Sequence, residues 1–518
     1  MALSCCTARS KSSSKTVVDD LHHHVYPVHA LDQSTESQPL LTWVMCFNDV
    51  LHAQKLQTSL CQLLEIGDWR KLACRLRVTD DGTLEAYAPK VFSDEEPACA
   101  FFHGEHFEST IQCHPVGRHF SFPARRAFTQ IYPPEQPSAL FHPDFPSRVQ
   151  DLIDRRLPQL VLQVLSFCDA TVVTISWPEN LVDDVSLRVL LDNWSLVLTG
   201  RKHAVANILG SERDVLEETV TQAEEKGPLV KTSHPTRMTW SQWLVPEWWK
   251  AWRQPRLQRR MVFIPELIYD EFLSEVRAEL SDMVSIEGDF QAKVSDADIA
   301  FAWVSKMQGH GQLQPRTVIS RRAVDLRRRI PGLRSRSGHF LQNLTLSAHS
   351  KLSPHDLNDS VGKIALKQKR CMDEQSSEEQ WLALAKTAME KNAPQVCAAV
   401  MTGGDPAACT LDFCDLTLQR IFSAADFSSA VVRQGDFTRP RFNVPGTMIS
   451  AYSLRMDLPP TEPACKVIGI DTDGNFWMCC QLEASVWVRM EEELYRLQKS
   501  INSPISGNSM RYYSASRR

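Results

Sequence analysis

Two carboxylates four residues apart, Glu179 and Asp183, stand in the stretch Pro178-Glu179-Asn180-Leu181-Val182-Asp183, between an apolar run and an amphipathic one. A glutamate in that place has two readings. Ahead of a helix, its charge favours the positive end of the helix dipole, an effect of about 0.3–1 kcal/mol. Inside a cleft, it is a catalytic carboxylate that takes a proton from an attacking group, or gives one if burial holds it protonated. An unperturbed glutamate titrates near ~4.3 against ~6.5 for histidine, a deficit of about 3 kcal/mol in proton-transfer driving force that burial would reduce. Other chemistries lack their motifs. Ser166 and Ser176 have no Gly-x-Ser-x-Gly setting, and no phosphate loop or dinucleotide fingerprint is present. The 15 cysteines include no CxxC pair, and Cys5-Cys6 and Cys479-Cys480 lack zinc-ligand spacing. They are expected to be reduced, buried thiols. His22-His23-His24 has no acidic or cysteine partner at useful spacing, so no metal is expected.

The elements that must hold these residues follow from periodicity. Ala170 to Trp177 is β-branched and reads as a strand that Pro178 ends. Val185, Leu187, Leu190, Leu191, Trp194 and Leu198 then mark an amphipathic helix closing near Gly200. Leu40–Phe47 reads as a buried strand, 48–64 as a helix, and Asp80-Asp81-Gly82 as the turn of a hairpin over 75–87. Residues 115–150 are Pro-rich and read as irregular. Further on, helices are predicted over 266–283, 296–307 and 359–391, with a strand from Arg316 running into 325–329. A hairpin about Asp471-Thr472-Asp473-Gly474 and a helix over 486–499 close the chain.

Length and composition set the class. The 518 residues suffice for a two-domain enzyme with its cleft between the domains, and the net charge of −5 gives no footprint for nucleic acid. No run reaches the ~18–20 apolar residues of a membrane span. Residues 1–24 read as a disordered tail without a secretory leader, and a cytoplasmic location is expected. A charged and then Trp-rich segment, 211–260 (Trp240, Trp243, Trp248, Trp249, Trp252), reads as a linker between structured parts at 25–210 and 261–518.

The ordered set of motifs resembles the BAHD-type (HxxxD) acyltransferases, in the fungal branch similar to the fumigaclavine B O-acetyltransferase family. The strand to Trp177, the turn 178–183 and the helix to Gly200 look like the segment carrying HxxxD, with Glu179 in the histidine's place. Asp325-Leu326-Arg327 and Gly338-His339-Phe340-Leu341-Gln342-Asn343 resemble the family's arginine strand and channel-lining strand. Asp426-Phe427-Ser428-Ser429-Ala430 resembles a shortened DFGWG motif, and Asp473-Gly474-Asn475-Phe476 with Met490-Glu491-Glu492 its closing unit.

The resemblance implies an α/β fold with mixed sheets: two chloramphenicol-acetyltransferase-like domains joined by a crossover, with a channel at their interface. It implies a monomer using acyl-CoA as cosubstrate, with a small-molecule acceptor and no bound cofactor. Asp183 would turn from the channel to pair with Arg327, Asp426 would be structural, and His339 and Asn343 would line the channel. The activity so implied is transfer of an acyl group to a hydroxyl of a fungal terpenoid, alkaloid or polyketide. A histidine would be the base; here Glu179 takes that role or His339 replaces it. An ionised glutamate beside the forming oxyanion is the physical objection. The alternatives are a repurposed, CoA-independent cyclisation or isomerisation, pericyclase-like, and metabolite binding without turnover.

Overall fold

The computed structural model describes residues 22–32, 39–80, 82–120, 122–132, 140–179, 181–226, 257–287, 293–312, 314–334, 337–389, 408–435, 443–456 and 462–501. Within them two mixed sheets form the frame. The first orders its strands Met448–Arg455, Leu40–Phe47, Thr171–Pro178, Val161–Phe167 and Ala100–His106, with only the last pair parallel. The second orders Thr345–Leu352, Val318–Asp325, Cys409–Asp415, Ala464–Ile470, Phe476–Glu483, Leu257–Ile264 and Phe128–Ile131. It is parallel on both sides of Cys409–Asp415 and antiparallel elsewhere. The expected mixed α/β class is observed.

Each sheet takes a strand from the distant part of the chain. Met448–Arg455 pairs with Leu40–Phe47 in the first, and Phe128–Ile131 pairs with Leu257–Ile264 in the second. The latter corrects the reading of 115–150 as wholly irregular. Phe128 stacks on Phe263 at 5.0 Å and meets Trp477 edge-on at 6.5 Å, long-range partners that no local pattern announces.

Every residue of Thr171–Pro178 is buried, because the strand lies inside its sheet and is covered on both faces. That explains its continuous β-branched run. Pro178, which has no N–H to donate, takes its last position. The following helix, Ser186–Leu198, buries Leu187, Leu190, Leu191 and Trp194 and gives way to Gly200, whose φ of +78° suits glycine. Trp194 anchors it: its indole N–H donates to Leu56 O at 3.2 Å and Ser59 Oγ at 2.8 Å on the helix Ala53–Leu64.

Two element predictions are corrected. The helix expected over 48–64 begins only at Ala53, because Asp49–Leu51 forms a short strand against Val431–Gln434. The helix expected over 359–391 is two, Val361–Glu374 and Glu378–Met389. At the break, Gln375 turns its amide onto the backbone of His349, accepting from its N at 3.1 Å and donating to its O at 2.7 Å. The charged part of 211–260 supplies the helix Val215–Lys226, and its Trp-rich part lies outside the described residues. No helix among the described residues is long and apolar enough to cross a membrane.

Candidate active site

The strand Thr171–Pro178 ends at a cavity of about 810 Å³ whose wall includes Glu179, Asp183, Asp184, Asn343, Arg455 and Lys466. Three acids of the turn, Glu179, Asp183 and Asp184, each meet a cation, and each cation stands on a different element.

Asp183 is buried and faces Arg327, which donates from Nη1 to Oδ2 at 2.8 Å and from Nη2 to Oδ1 at 3.3 Å. Oδ2 also accepts from Leu344 N and Thr345 Oγ1, each at 3.1 Å, and Oδ1 from Ser186 Oγ at 2.9 Å. Arg327 spends its other protons on Phe340 O, Gln342 O and Asp325 Oδ1. Burial works to raise the Asp183 carboxyl, but the Arg327 charge and these donors outweigh it and hold it below the ordinary carboxylate range. The pair is a structural clamp: it fixes the turn to the 325–345 segment.

Asp184, the next residue, forms a second clamp. Lys466, on the strand Ala464–Ile470, donates to Asp184 Oδ2 at 2.7 Å and to Ser453 Oγ at 2.8 Å. Trp43 donates its indole N–H to Asp184 Oδ1 at 3.1 Å, and its ring lies 5.4 Å from the Lys466 ammonium. Burial works against the Lys466 charge, yet Asp184 prevails and raises the amine above its ordinary value.

Glu179 makes the third contact. Arg455 donates from Nε to Oε2 at 2.6 Å and from Nη2 to Oε1 at 2.7 Å, a two-pronged pair. The register explains it. Leu40 faces Pro178 across one side of the strand Leu40–Phe47, and Leu41 faces Arg455 across the other. Both strands therefore finish at the same end of the first sheet, on either side of Leu40–Phe47. The negative charge of Glu179 outweighs burial and raises the guanidinium above its ordinary range.

The other predicted residues fall in two groups. Asn343 lines the cavity, its Oδ1 accepting from Thr345 N at 3.3 Å. His339 is exposed on the short strand Gly338–Phe340, paired with Ile208, and is not among the residues that wall the cavity. Asp426 is exposed and accepts from Ser428 N at 3.2 Å, while its own N–H donates to Ser195 Oγ at 2.9 Å. Sequence reasoning missed Asp184, Arg455 and Lys466. A faint signal existed: Lys466 is the lone charge in Ala464-Cys465-Lys466-Val467-Ile468, an otherwise apolar strand.

No protein-family model matches the chain. It is similar to O-acetyltransferase PaAT-2 of Phomopsis amygdali, 28% identical over 91% of this chain and 98% of that one. It is equally similar, 28% over 91% and 95%, to a Penicillium decumbens protein named transcriptional regulator calD. Among solved structures, the fold matches F. sporotrichioides TRI101 complexed with coenzyme A and T-2, with a TM-score of 0.59, 12% identity, and 91% and 98% of the two chains covered. It also matches vinorine synthase, with a TM-score of 0.52, 11% identity, and 94% and 95% covered. The chain therefore has the two-domain fold of TRI101 and vinorine synthase, and it is similar along nearly its whole length to fungal proteins named acetyltransferases.

Proposed function

We propose that the protein is an acyl-CoA-dependent O-acyltransferase acting on a hydroxyl of a fungal secondary metabolite, with Glu179 as general base. One observation carries this reading. The Asp183–Arg327 clamp fixes the turn so that Glu179, four residues earlier, contributes to the wall of the cavity. The acyl donor's phosphates would meet Arg328 and Arg329, both exposed and both on that wall. The acceptor hydroxyl gives its proton to a Glu179 oxygen as its own oxygen attacks the thioester carbonyl. The C–S bond then breaks, and the departing CoA thiolate takes the proton back, yielding ester and free CoA.

The chain divides at 211–260 in this reading, and residues of both structured parts line the cavity. A CoA-independent isomerase would need Glu179 as a proton donor. Both of its oxygens instead accept from Arg455, the arrangement of an ionised carboxylate, and this favours the base. Incubating the protein with radiolabelled acetyl-CoA and a metabolite extract from its source tests the reading. Labelled ester formed by wild type and lost in Glu179→Gln is expected. Conversion of the extract without CoA, or ester formation untouched by the substitution, would overturn it.

A further inference from the structure

Resting on that reading, we propose that Glu179 and Arg455 work as one unit, a carboxylate–guanidinium dyad that does what a single imidazole does, with Arg455 as its positioning residue. The argument is one of charge. An ionised carboxylate bonded at both oxygens to a guanidinium sums to zero. Once the carboxylate has taken the acceptor's proton, +1 remains on the guanidinium. A neutral imidazole that takes a proton passes through the same change, from zero to +1. The objection to a glutamate beside a forming oxyanion is that an isolated carboxylate brings −1 to the place where positive charge is needed. Arg455 removes it.

Several features place this pair at the cavity. Glu179 and Arg455 both line the cavity. Arg455 uses Nε and Nη2 on Glu179, and its Nη1 makes no hydrogen bond to any described residue. Its side chain is 55% exposed against 29% for Glu179, so the cation is the more open member of the pair. Ser453, two residues earlier on the same strand, lines the same cavity and accepts from Lys466, whose own charge is matched by Asp184. Residues two apart on one strand share a face.

Substitution of both partners separates the dyad from a structural contact. Release of CoA from acetyl-CoA is read by chromatography, with water and a panel of hydroxylated sesquiterpenes and polyketides as acceptors. Arg455→Gln keeps a donor for Glu179 and removes the charge; it is expected to lower kcat by about 50-fold or more, while Arg455→Lys stays within about 10-fold of wild type. Glu179→His alone should be poor, since its imidazolium would form beside an uncompensated Arg455. Glu179→His with Arg455→Gln should exceed Glu179→His by about 10-fold, a gain opposite in sign to the sum of two damaging changes. Thermal melting of each variant checks folding, and Arg455→Met serves if the glutamine variant does not fold. If Glu179→Gln is inactive while Arg455→Gln is within about 3-fold of wild type, or if the double variant is no better than Glu179→His, the dyad is wrong and the acyltransfer reading stands. If wild type releases no CoA with any acceptor, that reading fails and the dyad with it.

Discussion

Asp183 and Arg327 lie 144 residues apart in sequence and meet at 2.8 Å, holding one end of the turn whose other end carries Glu179. The next residue repeats the device, since Asp184 is held by Lys466 across 282 positions at 2.7 Å. Two neighbouring acids thus pin the turn to two separate segments of the later chain. The position of Glu179 follows from this pinning together with its own pair to Arg455.

Removing one member of the first clamp strands a buried charge. Arg327→Met is expected to cost about 3–5 kcal/mol in urea unfolding, whereas Arg327→Met combined with Asp183→Leu should cost less than either change alone. Equal or additive losses would show that the pair does not act as a unit.

The same pair sets an acid dependence. Because the Asp183 carboxyl is held below its unfolded value of ~3.9, its contribution to stability is complete above that pH and fades as pH falls through the lower folded value. The stability gap between wild type and Asp183→Asn should therefore be constant above about pH 5 and narrow below about pH 4. Denaturant midpoints measured across that range check it.

Lys466 behaves in the opposite sense. Its amine is raised above the unfolded value of ~10.4, so its contribution is complete below that pH and is lost as pH climbs through the folded value. Lys466→Met is expected to lower stability at pH 7 by about 1.5–3 kcal/mol, the scale of hydrogen bonds to charged groups. The difference from wild type should be constant from neutral pH to about pH 10.

Trp194 tests the support behind the turn. It is fully buried and ties the helix Ser186–Leu198 to the helix Ala53–Leu64. Trp194→Ala should cost about 3–5 kcal/mol, while Trp194→Phe, which keeps most of the volume and loses the two hydrogen bonds, should cost less. Calorimetric melting of both variants decides between packing and hydrogen bonding as the larger part.

Much of this frame was legible in the sequence. The strand before Glu179 announced itself by its β-branched run, the helix after it by the spacing from Leu187 to Leu198, and the closing hairpin by Asp473-Gly474. The Asp183–Arg327 pair came from resemblance, and the two side chains lie 2.8 Å apart. The strand exchange was hidden, because Phe128–Ile131 owes its conformation to Phe263 and Trp477, far along the chain. Arg455 was hidden for a similar reason: its link to Glu179 depends on which strands flank Leu40–Phe47, and strand order is not written in local periodicity.

The most direct test of the account is the kcat of wild type against Glu179→Gln, with acetyl-CoA and an acceptor that the wild type acylates. The account predicts a fall of about 100-fold or more in kcat with KM for acetyl-CoA little changed, since the amide keeps the shape and loses the proton acceptor. An unchanged kcat would contradict it.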